Sequence, residues 1–109
     1  SSEYVYTAFK VMEIESAGFK AISGLLDIFV PAVISGRVTK EELINRRLIP
    51  PQFLKRREKP VSGSNPDVLI ESLTPYERVM AITDYISGMT DRYAIEIYQR
   101  LSGIKLPEY

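Results

Sequence analysis

The sequence has 109 residues, of which 14 are basic, 14 are acidic and none is cysteine or histidine. This length suits one ordinary domain, and a composition with 45% hydrophobic and 26% charged residues is typical of a globular protein. The missing residue types exclude disulfides, thiolate zinc sites, histidine-ligated metals and a Ser-His-Asp triad. If this chain belongs to an enzyme, we therefore do not expect it to be the whole enzyme.

The net charge is zero, but the charges are unevenly distributed. Residues 37–59 contain eight basic and three acidic side chains, which gives this segment a net charge of +5. No uninterrupted apolar run approaches the roughly 20 residues of a membrane span, and the N-terminus lacks a signal-peptide pattern. We expect a soluble, cytoplasmic chain without membrane contact. Because it begins at Ser1 rather than methionine, we also expect a fragment of a longer protein.

The first predicted element is a long helix over residues 3–35. Pro31 restricts the backbone near its end and predicts a kink or a break there, and Ser35-Gly36 is a plausible stop. Eight apolar residues of this segment share one sector of a helical wheel: Tyr4, Ala8, Val11, Ile22, Leu25, Leu26, Phe29 and Val33.

The middle of the chain predicts two short helices around a loop. Thr39 followed by Glu42 is a capping box, in which each side chain accepts a hydrogen bond from the other residue's free amide. It predicts a helix over residues 40–48. Prolines, serines and a glycine mark residues 50–65 as a loop, with a turn of helix possible near Phe53. Asn65-Pro66 then predicts a helix over residues 66–72.

The last predicted element is a second long helix over residues 75–102. Thr74 and Glu77 form another capping box, with Pro75 in the first turn, and Gly103 supplies a stop. We therefore predict an all-α fold, a single domain over residues 1–109 with two long helices packed with the shorter ones. Apolar residues spaced by three and four predict one buried face: Val79, Ile82, Ile86, Met89, Tyr93, Ile97 and Leu101.

Glu15 is unusual because it falls within the apolar sector of the first helix. A buried lone carboxylate costs several kcal/mol unless a cation or several donors accompany it. Either Glu15 lies where the helix meets water, or it forms a buried structural ion pair, for which Arg92 is the first candidate. Gly18 lies one turn further on, and a glycine in the middle of a helix often marks the close approach of another backbone.

A second unusual feature is the run from Asp84 to Ala94, which we call the signature run. In one continuous helix Asp84, Gly88 and Asp91 share a stripe, flanked by Tyr85 and Arg92. Paired carboxylates at this spacing can act as acid and base or bind a hard cation. A solvated polar face is the more usual explanation of such a stripe.

The basic stretch from Lys55 to Lys59 is a weak candidate for contact with phosphate or nucleic acid. Lys55, Arg56 and Arg57 are its first three residues, and clustered cations can neutralise a phosphate backbone. An exposed loop is the commoner explanation, since no aromatic platform for single strands accompanies them.

The signature run, Asp84-Tyr-Ile-Ser-Gly-Met-Thr-Asp-Arg-Tyr-Ala94, resembles a sequence near the C-terminus of bacterial deoxyguanosine triphosphate triphosphohydrolases. These enzymes belong to the His-Asp (HD) superfamily of metal phosphohydrolases. The segments Ile14–Phe19 and Leu25–Phe29 also look like the helix that precedes this region in the family. The resemblance covers most of the chain and is weakest between residues 37 and 66.

The resemblance implies a C-terminal helical portion of an enzyme that converts dGTP, or another deoxynucleoside triphosphate, to deoxynucleoside and tripolyphosphate. The family's metal site uses histidines and aspartates, so no cofactor is expected on this chain, and Mg²⁺ or Mn²⁺ is expected elsewhere in the parent enzyme. The chain alone should be inactive. It would contribute scaffold, a homo-oligomer interface or part of the nucleotide pocket. Five residues of the signature run match the family's sequence and are therefore candidates for substrate binding: Asp84, Tyr85, Asp91, Arg92 and Tyr93.

Two other functions fit the residues. One is a stand-alone helical module that binds a partner protein, which predicts a monomer with a closed core. The other is an accessory domain that contacts nucleic acid through residues 55–59, which predicts binding that weakens steeply with salt. The triphosphohydrolase interpretation instead predicts an exposed apolar patch where the catalytic helices of the parent enzyme are missing, and hence a fragment that tends to self-associate.

Overall fold

The computed structural model describes residues 2–55 and 65–103, and within them the fold is all-α. Five α-helices and one short 3-10 helix account for the regular structure, and the described residues contain no strand. The predicted fold class is therefore confirmed. In chain order the elements are α1 (Ser2–Ile34), α2 (Lys40–Arg47), the 3-10 helix (Pro51–Phe53), α3 (Pro66–Glu71), α4 (Pro75–Ser87) and α5 (Asp91–Ser102).

The chain divides into two compact units. The first consists of Ser1–Leu25 and Met89–Tyr109, and the second of Leu26–Gly88. Helix α1 therefore contributes its N-terminal part to one unit and its C-terminal part to the other. The single domain expected over residues 1–109 stays a prediction.

Side-chain caps begin the helices where the sequence predicts them. In α2 the Glu42 amide donates to Oγ1 of Thr39 at 3.1 Å, and the Thr39 amide donates to Oε1 of Glu42 at 3.0 Å. Thr74 and Glu77 form the same pair of bonds ahead of α4. Each box satisfies amides that the first turn of a helix leaves without partners. Both predicted capping boxes are confirmed.

The loop predicted over residues 50–65 is described only in part. The 3-10 helix Pro51–Phe53 provides the turn of helix anticipated near Phe53. At the other end, Oδ1 of Asn65 accepts from the Asp67 amide at 3.0 Å and caps α3, as the Asn-Pro pair predicts. Residues 56–64, which include most of the basic stretch, lie outside the described residues.

Helix α1 continues through Pro31 and ends at Ile34, so the break predicted as one alternative at the proline is wrong, and the kink stays a prediction. The proline lies in the last turn, where it removes a single backbone donor, and the following carbonyls find side-chain donors described below. The Ser35 amide still donates to the Pro31 carbonyl at 3.0 Å. The predicted stop at Ser35-Gly36 is confirmed.

The long helix predicted over residues 75–102 is two helices, α4 and α5, and this prediction is wrong. Gly88 ends α4, and Thr90 begins α5 by accepting the Tyr93 amide on its Oγ1 at 3.1 Å. The apolar spacing continues across the break, which is why periodicity alone suggested one helix. A threonine followed by an acid in the first turn is the start signal that the pattern concealed.

The buried face of α1 coincides with the predicted sector of the helical wheel at Leu25, Phe29 and Val33, which are fully buried, but not nearer the N-terminus. Tyr4 is 76% exposed and Val11 is 46% exposed, although both fall in the predicted sector. Within the first unit the core of α1 lies on the side formed by Ile14, Ala17, Ala21 and Leu25, and α5 contributes Ala94 and Ile95.

Helix α1 is also long and apolar enough to cross a membrane, judged by length and composition alone. Its most apolar 18-residue window has a mean hydropathy of 1.7, and 39% of that window is buried inside the structure. Core helices of soluble proteins pass the same test. The absence of membrane contact stays a prediction.

Candidate functional site

Asp91, in the second half of the signature run, packs directly on α1. A methyl group built at Gly18 would lie 2.7 Å from Oδ1 of Asp91, and one built at Gly24 would overlap the ring of Tyr98. Only glycine leaves room for α5 at these two positions. The close approach expected at Gly18 therefore exists, and it involves the Asp91 side chain rather than another backbone.

The predicted ion pair between Glu15 and Arg92 is absent. Both residues are exposed, and no ion pair joins them within residues 2–55 and 65–103. The buried side of α1 runs through Ile14 and Gly18, so Glu15 falls outside it and meets water. The signature run does pack against the Glu15 helix, through Asp91 over Gly18.

The acidic stripe predicted for Asp84, Gly88 and Asp91 does not form, because α4 ends between the two acids. Asp84 is exposed on α4 in the second unit, whereas Asp91 is half-buried on α5 in the first. The helical register that would align the two carboxylates is lost at Gly88. A shared acid-base or cation site on one helix face is therefore excluded.

Tyr85 belongs to the core of the second unit. Its ring lies 5.9 Å from the ring of Phe29 in an edge-on arrangement and 5.2 Å from that of Phe53, measured between centroids. Such aromatic pairs stabilise a core by about 0.5–1.5 kcal/mol beyond their buried area. Tyr85 thus packs the interior, and substrate contact is not needed to explain it.

Arg92 and Tyr93 are the members of the signature run with exposed side chains in the first turn of α5. Tyr93 is 45% exposed, and no ion pair of the described residues involves Arg92. Of the five substrate-binding candidates, these two combine exposure with a cationic or phenolic group.

A cluster that sequence reasoning missed surrounds the C-terminus of α1. Arg46 is only 2% exposed; its Nε donates to the Ala32 carbonyl at 2.6 Å, and its Nη1 to Oε1 of Glu71 at 3.3 Å. Arg78 donates from Nη1 to the Val33 carbonyl at 3.1 Å, and its Nη2 lies 3.7 Å from Oε2 of Glu71. We call these three side chains, with Asp67, the arginine cap.

The arginine cap satisfies the end of a helix. The last carbonyls of an α-helix lack intrahelical donors and carry partial negative charge, so guanidinium groups stabilise them. Oδ1 of Asp67 lies 3.8 Å from Nη1 of Arg46, and among the described residues neither this oxygen nor Nη2 of Arg46 has a hydrogen-bond partner. A buried arginine in a run of charged residues carries no sequence signal, because its acids lie more than 20 positions away.

The remaining candidate features do not assemble a catalytic site. Lys55 is exposed, and Arg56 and Arg57 lie outside the described residues. In the part of the chain that the structure describes, no group of three or more potential ligands could hold a metal ion. A surface cavity borders the first turns of α1 and contains none of the signature run: it is lined by Ser2, Val5, Tyr6, Phe9, Lys10 and Glu13.

Comparison with known families places a match on the second half of the chain. Residues 66–100 match the family described as Phosphohydrolase-associated domain. The match begins with α3 and includes α4, the whole signature run and most of α5. No solved structure matches the chain.

Curated relatives match nearly the whole chain. A deoxyguanosinetriphosphate triphosphohydrolase-like protein of Listeria monocytogenes is 36% identical over 110 residues, which is 95% of this chain and 23% of the relative. A probable deoxyguanosinetriphosphate triphosphohydrolase of Pseudomonas aeruginosa is 31% identical, and the deoxyguanosinetriphosphate triphosphohydrolase of Salmonella arizonae is 34% identical; each alignment covers 94% of this chain and 23% of the relative. The chain thus spans about a quarter of the length of these proteins.

These matches confirm the resemblance on which the sequence analysis relied. The chain is similar to a segment of proteins named deoxyguanosinetriphosphate triphosphohydrolase, and its residues 66–100 are similar to the phosphohydrolase-associated domain. The names of these relatives describe them as hydrolases. The chain therefore resembles a region of dGTPase-like phosphohydrolases.

Proposed function

We propose that this chain, a dGTPase-like phosphohydrolase region, is the helical scaffold of a longer deoxynucleoside triphosphate triphosphohydrolase. The longer enzyme would hydrolyse dGTP, or a related nucleotide, to the deoxynucleoside and tripolyphosphate. The catalytic groups would lie outside these 109 residues, and the enzyme would work as a homo-oligomer. The similarity to named triphosphohydrolases over 94–95% of the chain supports this proposal most directly.

The placement of the signature run supports a scaffold role. Asp91 packs on Gly18 and Tyr85 packs between Phe29 and Phe53, so two of the five candidate residues are engaged in holding helices together. Thr90 begins α5 and fixes where that helix starts. The run therefore acts chiefly through packing, of α4 within the second unit and of α5 within the first.

The donor chemistry of the chain supports placing a metal elsewhere. The sequence has no histidine and no cysteine, and the described acids do not cluster into a ligand set. In the proposed enzyme, the remainder of the longer protein would supply the ligands of Mg²⁺ or Mn²⁺.

Arg92 and Tyr93 support a second, smaller contribution to the nucleotide pocket. Both are exposed in the first turn of α5, and a guanidinium group suits phosphate oxygens because it presents several donors in one plane. In the longer enzyme they would touch the substrate from this helix, whereas Tyr85 and Asp91 would act through packing.

The proposal is tested by measuring tripolyphosphate release from dGTP with Mg²⁺ or Mn²⁺. The longer protein and the 109-residue chain are assayed side by side, together with the longer protein carrying Arg92→Ala. We expect turnover by the longer protein, none by the chain alone, and at least tenfold lower kcat/KM for the variant at unchanged thermal stability.

Three results would count against this account. Turnover by the 109-residue chain alone would show that the catalytic groups lie within it. If the longer protein released no tripolyphosphate from any of the four deoxynucleoside triphosphates, the proposed activity would be wrong. Unchanged kcat/KM in Arg92→Ala would show that α5 does not contribute to the nucleotide pocket, and only the scaffold role would stand.

A further inference from the structure

Helix α1 carries a second apolar stripe in the first unit, on the side away from its core. Its members alternate at spacings of four and three residues, the pattern of a helix that packs lengthwise against another helix. None of them is charged. The stripe consists of Val5, Phe9, Met12, Ser16, Phe19 and Ser23.

The stripe and the core of α1 occupy nearly opposite sides of the helix. At 100° per residue, the stripe centres roughly half a turn away from the buried positions Ile14, Ala17, Ala21 and Leu25. A helix at the surface of a globular protein normally has one apolar side, and a helix that is apolar on both sides is normally surrounded by protein.

The large side chains of the stripe are among the most exposed of the chain. Val5 is 59% exposed, Phe9 71%, Met12 64% and Phe19 80%, and Ser16 and Ser23 are exposed as well. Contiguous exposed apolar surface of this kind marks a contact that the structure does not contain.

We propose that the stripe is the docking surface for one apolar helix of the longer protein, a helix outside these 109 residues. This inference rests on the proposed function. The relatives are more than four times as long as the chain, which covers 23% of them, so most of such a protein is available to cover α1.

The spacing and sizes along the stripe define the partner. Alternation by four and three suits a helix that crosses α1 at about 20° with the axes about 8–10 Å apart. Ser16 leaves a shallow position between the two phenylalanines, and Ser23 leaves another beyond Phe19, so the partner should place large aliphatic or aromatic side chains opposite these two serines. It should carry no charge along its own contact line, because the stripe offers no charged group to pair with it.

The test is the reactivity of a cysteine placed on the stripe. The chain has no cysteine of its own, so Met12→Cys introduces a thiol on the exposed side and Ile14→Cys introduces one on the buried side, where Ile14 is 1% exposed. Each variant is made in the 109-residue chain and in the longer protein. A maleimide reagent labels the thiol, and mass spectrometry of the peptide measures the rate.

We expect the thiol at position 12 to react at least tenfold more slowly in the longer protein than in the dilute 109-residue chain. The protection should not depend on protein concentration and should disappear in denaturant. The thiol at position 14 should be protected in both proteins. Equal reactivity at position 12 in both proteins would overturn the inference. Protection that is lost on dilution, together with dissociation of the oligomer, would make a second copy the occupant and would overturn it as well.

The same preparations separate this inference from the proposed function. A reactive thiol at position 12 in a longer protein that releases tripolyphosphate would overturn the docking surface and leave the function standing. A protected thiol in a protein without that activity would support the docking surface and remove the function.

Discussion

Helix α1 is held in two different ways in the two units. In the first unit Gly18 and Gly24 let α5 approach so closely that a single methyl group would collide with Asp91 or Tyr98. In the second unit the end of α1 is held by guanidinium groups, which donate from Arg46 to the Ala32 carbonyl and from Arg78 to the Val33 carbonyl.

The difference shows which property each contact depends on. The glycine contacts depend on the absence of a side chain, so they should be sensitive to added volume and indifferent to charge. The arginine cap depends on hydrogen-bond donors at backbone carbonyls, so it should be sensitive to lost donors even when volume is kept. Substitutions at the two places should therefore destabilise the protein for different reasons.

The largest effect is expected at the arginine cap. Arg46→Ala should lower the free energy of unfolding by about 3 kcal/mol, because a buried carbonyl loses its donor and two carboxylates lose a cation. The urea midpoint of the 109-residue chain measures it. Arg46→Met keeps most of the volume and should be nearly as damaging.

The neighbouring residue provides the control for this prediction. Arg47 lies on the same helix and is exposed, so Arg47→Ala should change the free energy of unfolding by less than about 0.5 kcal/mol. If Arg46→Met were as stable as the unaltered chain, donors would not hold the end of α1 and the comparison would fail.

A smaller loss is expected at Gly24. Overpacking costs about 1–3 kcal/mol and outweighs the gain of about 1 kcal/mol from alanine inside a helix, so Gly24→Ala should be net destabilising by about 1 kcal/mol in urea denaturation. At Gly88 a methyl group would lie 3.6 Å from its nearest neighbour, the Asp84 carbonyl. Gly88→Ala should therefore cost nothing, and an equal loss in both variants would refute the close-packing argument.

The smallest effect is expected at Arg92. Because this side chain is exposed and has no ion-pair partner among the described residues, Arg92→Ala should change the free energy of unfolding by less than about 0.5 kcal/mol. A loss of about 3–5 kcal/mol in the same urea titration would restore the buried ion pair with Glu15.

The sequence predicted the helix starts better than the helix faces. Thr39 and Thr74, each followed three residues later by a glutamate, located α2 and α4 because a capping box is a local signal. The break before Thr90 was missed because the apolar residues keep their spacing across it. Gly88 and the Thr-Asp pair were the available signals for that break.

Features of the candidate site could be predicted only where the responsible residues are close together in the sequence. Gly18 could be flagged because a glycine inside a helix needs a reason, but its partner Asp91 is more than 70 positions away in the sequence. Arg46 looked like part of a charged segment, since nothing nearby in the sequence shows that it is buried or that it pairs with Glu71. The choice of Arg92 as partner for Glu15 failed because the buried side of α1 is set by its packing with α5, which a helical wheel does not contain.

The central claim is that the signature run holds α5 on α1 through Asp91 and Gly18, and a double-mutant cycle tests it most directly. Gly18→Ala, Asp91→Gly and the double variant are compared in urea denaturation of the 109-residue chain. We predict a coupling of about 1–2 kcal/mol, with Gly18→Ala destabilising when Asp91 is present and harmless when it is absent. Strictly additive effects would contradict the claim.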